Sequence, residues 1–421
     1  MAAFIFALII VALLASPSAG ASYVRGHNPA AGITTASAPN LLFWDPRDVA
    51  RVRQSVRQGD PRFKPAVDKL KRDAEAALKL GPFSVMDKTT VPPSGDKHDY
   101  MSMAIYYWPN PATATGKPYV NRDGEVNPES NTGAYDKASF DRMTSSSFTL
   151  AAAYYFTGDA RYSDKAADLL RRWFISPATR MNPNLQYGQG VPGADFGRPS
   201  GIIETVAMLN TVDAAALLVG SRAWKGEDQK ALQGWMRDYA DWLRRSKLGQ
   251  SESAARNNHG AWYDAQVSAF SLFAGNRDAA AMTLQWKTPR RIASQIEPDG
   301  RQPLELARTK SLSYSLYNLE AFISNAILGE RLGIDLWYYS APGGGSIRKA
   351  IDYLVPYLDG SKPWPYRQIA AERGVGFAPY LRRAAVRYRD ESYAALADRL
   401  LGNAASTDRL NLLCPYQPPY R

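Results

Sequence analysis

From Asp60 onward, apolar residues recur three and four positions apart in blocks separated by polar, proline or glycine breaks, the spacing of amphipathic helices. The blocks cover 60–80, 140–158, 160–175, 200–220, 226–246, 252–270, 276–297, 306–333, 347–358 and 391–402. Most are bounded by an acid, a glycine or a proline in terminating positions. Alternation of the kind strands require is scarce. About ten helices in succession predict an all-α fold, for which paired helices curled around a central cleft are one organisation. No fixed-period repeat is legible, which argues against a solenoid of standard motifs.

Two long stretches carry no helical period, 84–133 and 180–201. Loops of such length inside a compact domain are usually functional or disordered. Both mix aromatic rings with amides and cations, the groups that grip a sugar face and its anionic substituents.

The first residues, "MAAFIFALIIVALLASPSAGAS", place a small-residue A-x-A site at 19–21 behind an apolar run. That is the pattern of a secretory signal peptide. The expected organisation is therefore a signal peptide over 1–21, an arm over 22–42, one helical domain over 43–405 and a tail over 406–421. Export to a periplasm or to the extracellular space follows. No later stretch reads as a membrane span, so no stable membrane insertion is expected after signal removal. The single cysteine, Cys414, cannot form an internal disulfide, and cysteine clusters for a metal are excluded.

The formal net charge is +11, which favours a polyanionic partner. Nucleic acid is the weakest of these, because no basic helix or nucleic-acid motif accompanies the charge. Oligomeric state is not legible.

Of the three histidines, His27 falls in the expected arm and reads as a solvated group. His98, in "GDKHDY", either holds its loop or touches a ligand. His259 differs, because Arg256, Asn257 and Asn258 precede it at the mouth of an apolar helix and Trp262 follows. Burying so many polar groups demands many partners. The plain alternative is a core histidine with the asparagines as helix cap.

A second cluster holds Glu305, Arg308, Tyr314 and Tyr317. Arg308 and Tyr314 lie six apart, so a break near Thr309 or a cleft is needed to bring them together. An amide, an imidazole, a guanidinium and a phenol suit β-elimination from a uronic acid. Amide and guanidinium offset the carboxylate beside the acidic C5 proton; imidazole or phenolate removes that proton, and a phenol protonates the departing 4-oxygen. The scheme requires no cofactor and no metal. One rival is a glycoside hydrolase pairing Glu204 with Asp264 or Glu305. Another is a non-catalytic protein that binds acidic polysaccharide.

With these residues assembled, the chain resembles the alginate lyase family built on an incomplete (α/α) toroid. The likeness covers roughly 40–330. It rests on N-N-H-x-x-W (Asn257, Asn258, His259, Trp262) and on "SGDKHDYMSMAIYYWPNP", "RMNPNLQYGQG" and "GRPSGIIET". The resemblance implies that Asn258 helps neutralise the substrate carboxylate and that His259 is the base or its charge partner. It implies that Arg308 binds the carboxylate or tunes the phenol, and that Tyr314 is the acid and an alternative base, with Tyr317 the other candidate for that place. Asn257, Trp262, His98, Tyr106, Tyr107, Trp108, Tyr187, Gln189 and Arg198 are the implied substrate contacts. The expected partner is an anionic polysaccharide, alginate or a related polyuronate.

Overall fold

The computed structural model describes residues 38–416. Two kinds of helix alternate along the chain. Helix α1 (Pro46–Arg57) and helix α2 (Lys64–Leu78) present narrow apolar stripes; in α2 the buried positions are Ala66, Leu70, Ala74 and Ala77, while Lys64–Asp68 pairs across one turn of the exposed face. Helix α3 (Lys137–Thr157) has 13 of its 21 residues buried, all round its circumference. A helix buried on every side belongs to an inner layer. The alternation continues with α4 (Ala160–Leu170) outside and α5 (Leu209–Leu218) inside, where nine of ten residues are buried.

Next comes α6 (Gly226–Arg245), buried along Leu232, Trp235, Met236, Tyr239, Ala240 and Leu243. After α7 (Lys247–Ser253) follows the inner α8 (Asn258–Phe273), with 13 of 16 residues buried. Helix α3 packs on α2, α4 and α5, and α8 packs on α6 and α5. Ala, Ser and Thr are frequent on α3 and α8, and such small side chains let neighbouring helices approach closely.

The expected single helix over 276–297 is instead α9 (Arg277–Met282), a wide π-type turn over Thr283–Lys287, and α10 (Thr288–Gln295). Pro289 near the start of α10 explains the interruption, since it offers no N–H to the preceding turn. The expected break near Thr309 is present, separating α11 (Pro303–Leu306) from the inner α12 (Ser311–Glu330). Helices α13 (Ile347–Leu358), α14 (Ala378–Tyr388) and α15 (Glu391–Leu401) complete the series, with α13 against α12 and α15, and α14 against α15. Helical hairpins in two layers around a cleft make this the all-α, incomplete (α/α) toroid.

Helices α1 and α14 lie outside the expected blocks, although each keeps an apolar stripe among its arginines, Val49 and Val52 in α1 and Leu381, Ala384, Ala385 and Tyr388 in α14. In α14, Arg382 and Arg383 are nonetheless buried, paired with Asp398 and Glu330.

The two non-helical stretches are pinned to each other. Strand β1 (Met101–Met103) of the first runs parallel to β4 (Tyr187–Gly190) of the second, while β2 (Tyr107–Trp108) and β3 (Val120–Asn121) form a small antiparallel pair. Gly188 and Gly201 cross so tightly that a Cβ on Gly201 would lie 2.4 Å from the Gly188 carbonyl carbon. This contact fixes β4 to the tight helical segment Pro199–Met208 that leads into α5.

Three expectations need correction. Residues 199–218 are long and apolar enough to span a bilayer, contrary to the reading that no later stretch is; they are core, 78% buried. The end of the expected arm is held in the body: Leu41 and Leu42 are buried, and Asp213 accepts from the Leu42 and Phe43 amides at 2.6 and 3.0 Å. The expected tail likewise contains α16 (Leu410–Leu413), whose leucines and Cys414 are buried against α1 and α2. Proline enrichment begins only past that apolar turn. His27 and the signal-like segment lie outside the described residues.

Candidate active site

A cavity of about 1050 Å³ opens between α8, α12, the strand loops and the Pro199–Met208 segment. Asn258, His259, Arg308 and Tyr314 all line it, with Tyr106, Tyr107, Gln189 and Arg198. Four separate stretches of chain thus converge on one space.

Asn258 and His259 stand at the first turn of α8. The Asn257 side chain makes no cap hydrogen bond, so the capping alternative fails. Instead Glu305, itself 1% exposed, accepts from the Asn258 amide N–H at 2.7 Å and from Asn258 Nδ2 at 2.8 Å. The Oδ1 of the fully buried Asn258 has no partner among the described residues. His259 Nδ1 lies 2.6 Å from Oε1 of Glu252, a buried residue near the end of α7. A carboxylate there calls for Nδ1–H, which leaves Nε2 as the lone-pair nitrogen.

The α7–α8 junction is held by Arg291. It forks onto Asp264 at 2.7 and 3.1 Å and donates to the Ala255 and Ser253 carbonyls. Gly260 is required there, because a Cβ would come 2.1 Å from Arg291 Nη1 and 2.2 Å from the Ala255 oxygen.

The break between α11 and α12 turns Arg308 back over its neighbour. Its guanidinium sits 3.7 Å from the centroid of the Tyr314 ring. Asp123, in the first long loop, accepts from Arg308 Nε and Nη2 and from the Thr309 amide. Burial works to raise the Asp123 pKa, but these donors prevail and hold it at about 2. The Tyr314 hydroxyl donates to that of Tyr106 at 2.8 Å. Burial, reinforced by this bond, pushes Tyr314 well above the ordinary phenol range. It therefore stands as a proton donor, not as a phenolate.

Arg198 donates to the Tyr107 hydroxyl at 2.7 Å and to Ser200 at 2.8 Å. Beside it Gln189 adopts φ of +51°, a conformation disfavoured for L-residues. The backbone there is held by Ser102, whose hydroxyl accepts from the Gln189 amide at 2.7 Å.

The remaining expected contacts lie elsewhere. Trp262 is core, 2% exposed, with its ring 5.0 Å from that of Tyr317; three residues beyond His259, the helix has turned it inward against α12. His98 holds its loop, Nδ1 2.6 Å from the Arg180 carbonyl. Trp108 donates to the Glu125 carbonyl. Neither they, nor Tyr187, nor Asn257 line the cavity. Tyr317 does line it, one turn beyond Tyr314.

The carboxylate pairings of a hydrolase are not assembled. Asp264 and Glu305 are buried outside the lining, and Glu204, which does reach it, accepts from Tyr100 and Ser102 while burial raises its pKa.

Several lining or supporting groups were not read from the sequence. Glu252 precedes His259 by seven residues, but the chain breaks between α7 and α8, so no helical spacing relates the two and the pairing comes from the turn at 254–257. Asp123, 185 residues from Arg308, left no signal either. Lys310, Glu320 and Glu372 also line the cavity.

A family model described as alginate lyase matches residues 84–364. Among solved structures, an alginate lyase from Bacteroides ovatus is similar over 90% of this chain and 100% of its own, with 37% identity and a TM-score of 0.85. Alginate lyase A1-III from Sphingomonas species A1 is similar in fold, with 17% identity and a TM-score of 0.55 over 90% of this chain and 98% of that one. A histidine-to-alanine variant of A1-III, solved in complex with a tetrasaccharide, aligns with 16% identity and a TM-score of 0.55 over 92% and 99%. No curated protein matches the chain.

Proposed function

The chain belongs to the alginate lyase family of polysaccharide lyases, and from this we propose that it cleaves alginate or a related polyuronate by metal-independent β-elimination, leaving a 4,5-unsaturated uronate end. In this reading His259 Nε2 takes the C5 proton. The electron pair forms the C4–C5 double bond as the C4–O bond breaks, and the Tyr314 hydroxyl protonates the departing oxygen. The second Nδ2 hydrogen of Asn258, left over from its bond to Glu305, and the Arg308 Nη1 edge, which Asp123 leaves open, are the donors for the carboxylate whose charge grows in the transition state.

The observation that carries the reading is the division of labour within one cavity. Glu252 commits Nδ1 of His259 and leaves one basic nitrogen, while Tyr314 is held protonated. A base and an acid of opposite character are the requirement of an elimination. The complex of A1-III with a tetrasaccharide supports a polysaccharide as occupant, and the net charge of +11 supports an anionic one. The N-terminal signal-like segment supports export to the periplasm or beyond the cell.

The test is an ultraviolet scan of the purified protein on a panel of polyuronates. Rising absorbance from a conjugated product on at least one polymer, undiminished by a chelator, is the expected outcome. New reducing ends without that absorbance would mean hydrolysis and would sink the proposal. Activity abolished by chelation and restored by a metal would overturn its metal-independent part.

A further inference from the structure

Along α12, from Ser311 to Gly329, the partly exposed residues are Ser313, Tyr314, Tyr317 and Glu320. All four line the cavity. Spacings of four and three place Ser313, Tyr317 and Glu320 on one stripe of the helix, with Tyr314 at its edge. Glu320 lies six residues beyond Tyr314, about 9 Å along the axis, away from the bond being broken.

The Glu320 carboxyl makes no hydrogen bond or ion pair among the described residues, so where it lines the cavity its oxygens are open to an occupant. Its surroundings explain why it does not serve as an anion. Glu372 also reaches the cavity, its two oxygens already accepting from Ser313 and the Gly374 amide at 2.9 and 2.8 Å. Tyr317 on the same helix and Tyr380 on α14 stand near Glu320, and both phenols are pushed up, first by burial and then by the charge Glu320 would carry if ionised. Arg308 and Lys310 are cations of the same cavity, but neither pairs with Glu320.

We propose that Glu320 is a specificity-determining residue, which donates a hydrogen bond from its carboxyl O–H to a hydroxyl or ring oxygen of a sugar unit neighbouring the cleaved bond. The acceptor is not that sugar's carboxylate, which Glu372 would repel. Burial, with Glu372 beside it, pushes the Glu320 carboxyl up to about 8, so the donor persists at neutral pH. Above that pH the group loses its proton and confronts a polyanion with a negative charge. The inference rests on the polyuronate reading of the same cavity.

The experiment measures calorimetric affinity for alginate oligosaccharide on a His259→Ala background from pH 6.5 to about 9.5, bracketing this pKa. The protein with Glu320 is expected to weaken as pH rises through about 8. Glu320→Gln, which retains a donor and cannot ionise, is expected to stay level. Glu320→Ala is expected to bind about five- to tenfold more weakly at pH 7, the loss of one hydrogen bond. In the active protein these effects belong in KM and not in kcat. Equal pH profiles for Glu320 and Glu320→Gln, or undiminished affinity in a folded Glu320→Ala, overturn the assignment. Elimination by the wild type alongside either result would leave the lyase reading standing; failure to bind or cleave any polyuronate overturns both.

Discussion

At the scale of the residue, function here depends on what each polar group is committed to. In the proposed elimination His259 serves because Glu252 uses up one of its nitrogens, and Arg308 because Asp123 leaves one edge open. His259→Ala and Tyr314→Phe are each expected to lower kcat by about 10²- to 10⁴-fold, the range for a lost general base or acid. Initial rates of conjugated-product formation would check this, and near-wild-type turnover in either variant would remove that residue from the chemistry. Glu252→Gln keeps an acceptor but lets the ring choose its tautomer, so a smaller loss of about 10- to 10²-fold in kcat with little change in KM is expected. The sequence made Asn258 and His259 visible because polar groups at the mouth of an apolar helix are anomalous. It misdirected at Trp262, since a tryptophan one turn away from a site and one packed behind it look alike in the primary pattern.

At the scale of the element, the site depends on joints more than on helix bodies. The α7–α8 junction presents His259 and Glu252 to each other, and Arg291 passes beside Gly260 to tie it down. Gly260→Ala is expected to displace that guanidinium and destabilise the fold by about 2–3 kcal/mol. Urea unfolding would measure this; a midpoint unchanged from wild type would mean the junction yields without cost. Helix existence was legible wherever an apolar stripe or an all-apolar block ran long enough. Of the joints only the break near Thr309 was legible; the π-type turn follows from a single proline inside an otherwise continuous apolar period, and the crossing of Gly188 with Gly201 leaves no periodic signal. Arginine-rich α14 keeps an apolar stripe, but the burial of Arg382 and Arg383 rests on Asp398 and Glu330, which no local period reveals.

At the scale of the whole molecule, charge and pH act together. Attraction of a polyanion to a chain of net charge +11 should weaken with ionic strength, so KM for a polyuronate is expected to rise as salt is added while kcat changes less. A KM indifferent to salt would mean that local contacts dominate binding. Stability carries opposing pH terms. Burial raises the Asp213 carboxyl from 3.8 to about 6 in the fold. Its contribution to stability is therefore greatest below pH 3.8 and is lost as pH rises through about 6, at most about 3 kcal/mol. Asp123, held at about 2, acts in the other direction: its contribution is present above pH 3.8 and lost as pH falls toward 2. Asp213→Asn is thus expected to flatten the decline in stability between pH 4 and 7, read from denaturation midpoints across that range; an unaltered slope would discount Asp213.

The lone thiol offers a further handle. Cys414 is 3% exposed at the end of α16, and the chain has one cysteine in all. Any reagent that modifies a thiol therefore reports a single place, the seam where the C-terminal segment lies against α1 and α2. Labelling in native buffer should be slow and should accelerate in step with the detachment of that segment. Comparing its rate with the loss of turnover under mild denaturant would time the release of the chain end against collapse of the distant cavity. The native sequence thus carries its own clock for whether this toroid opens at its ends before its centre.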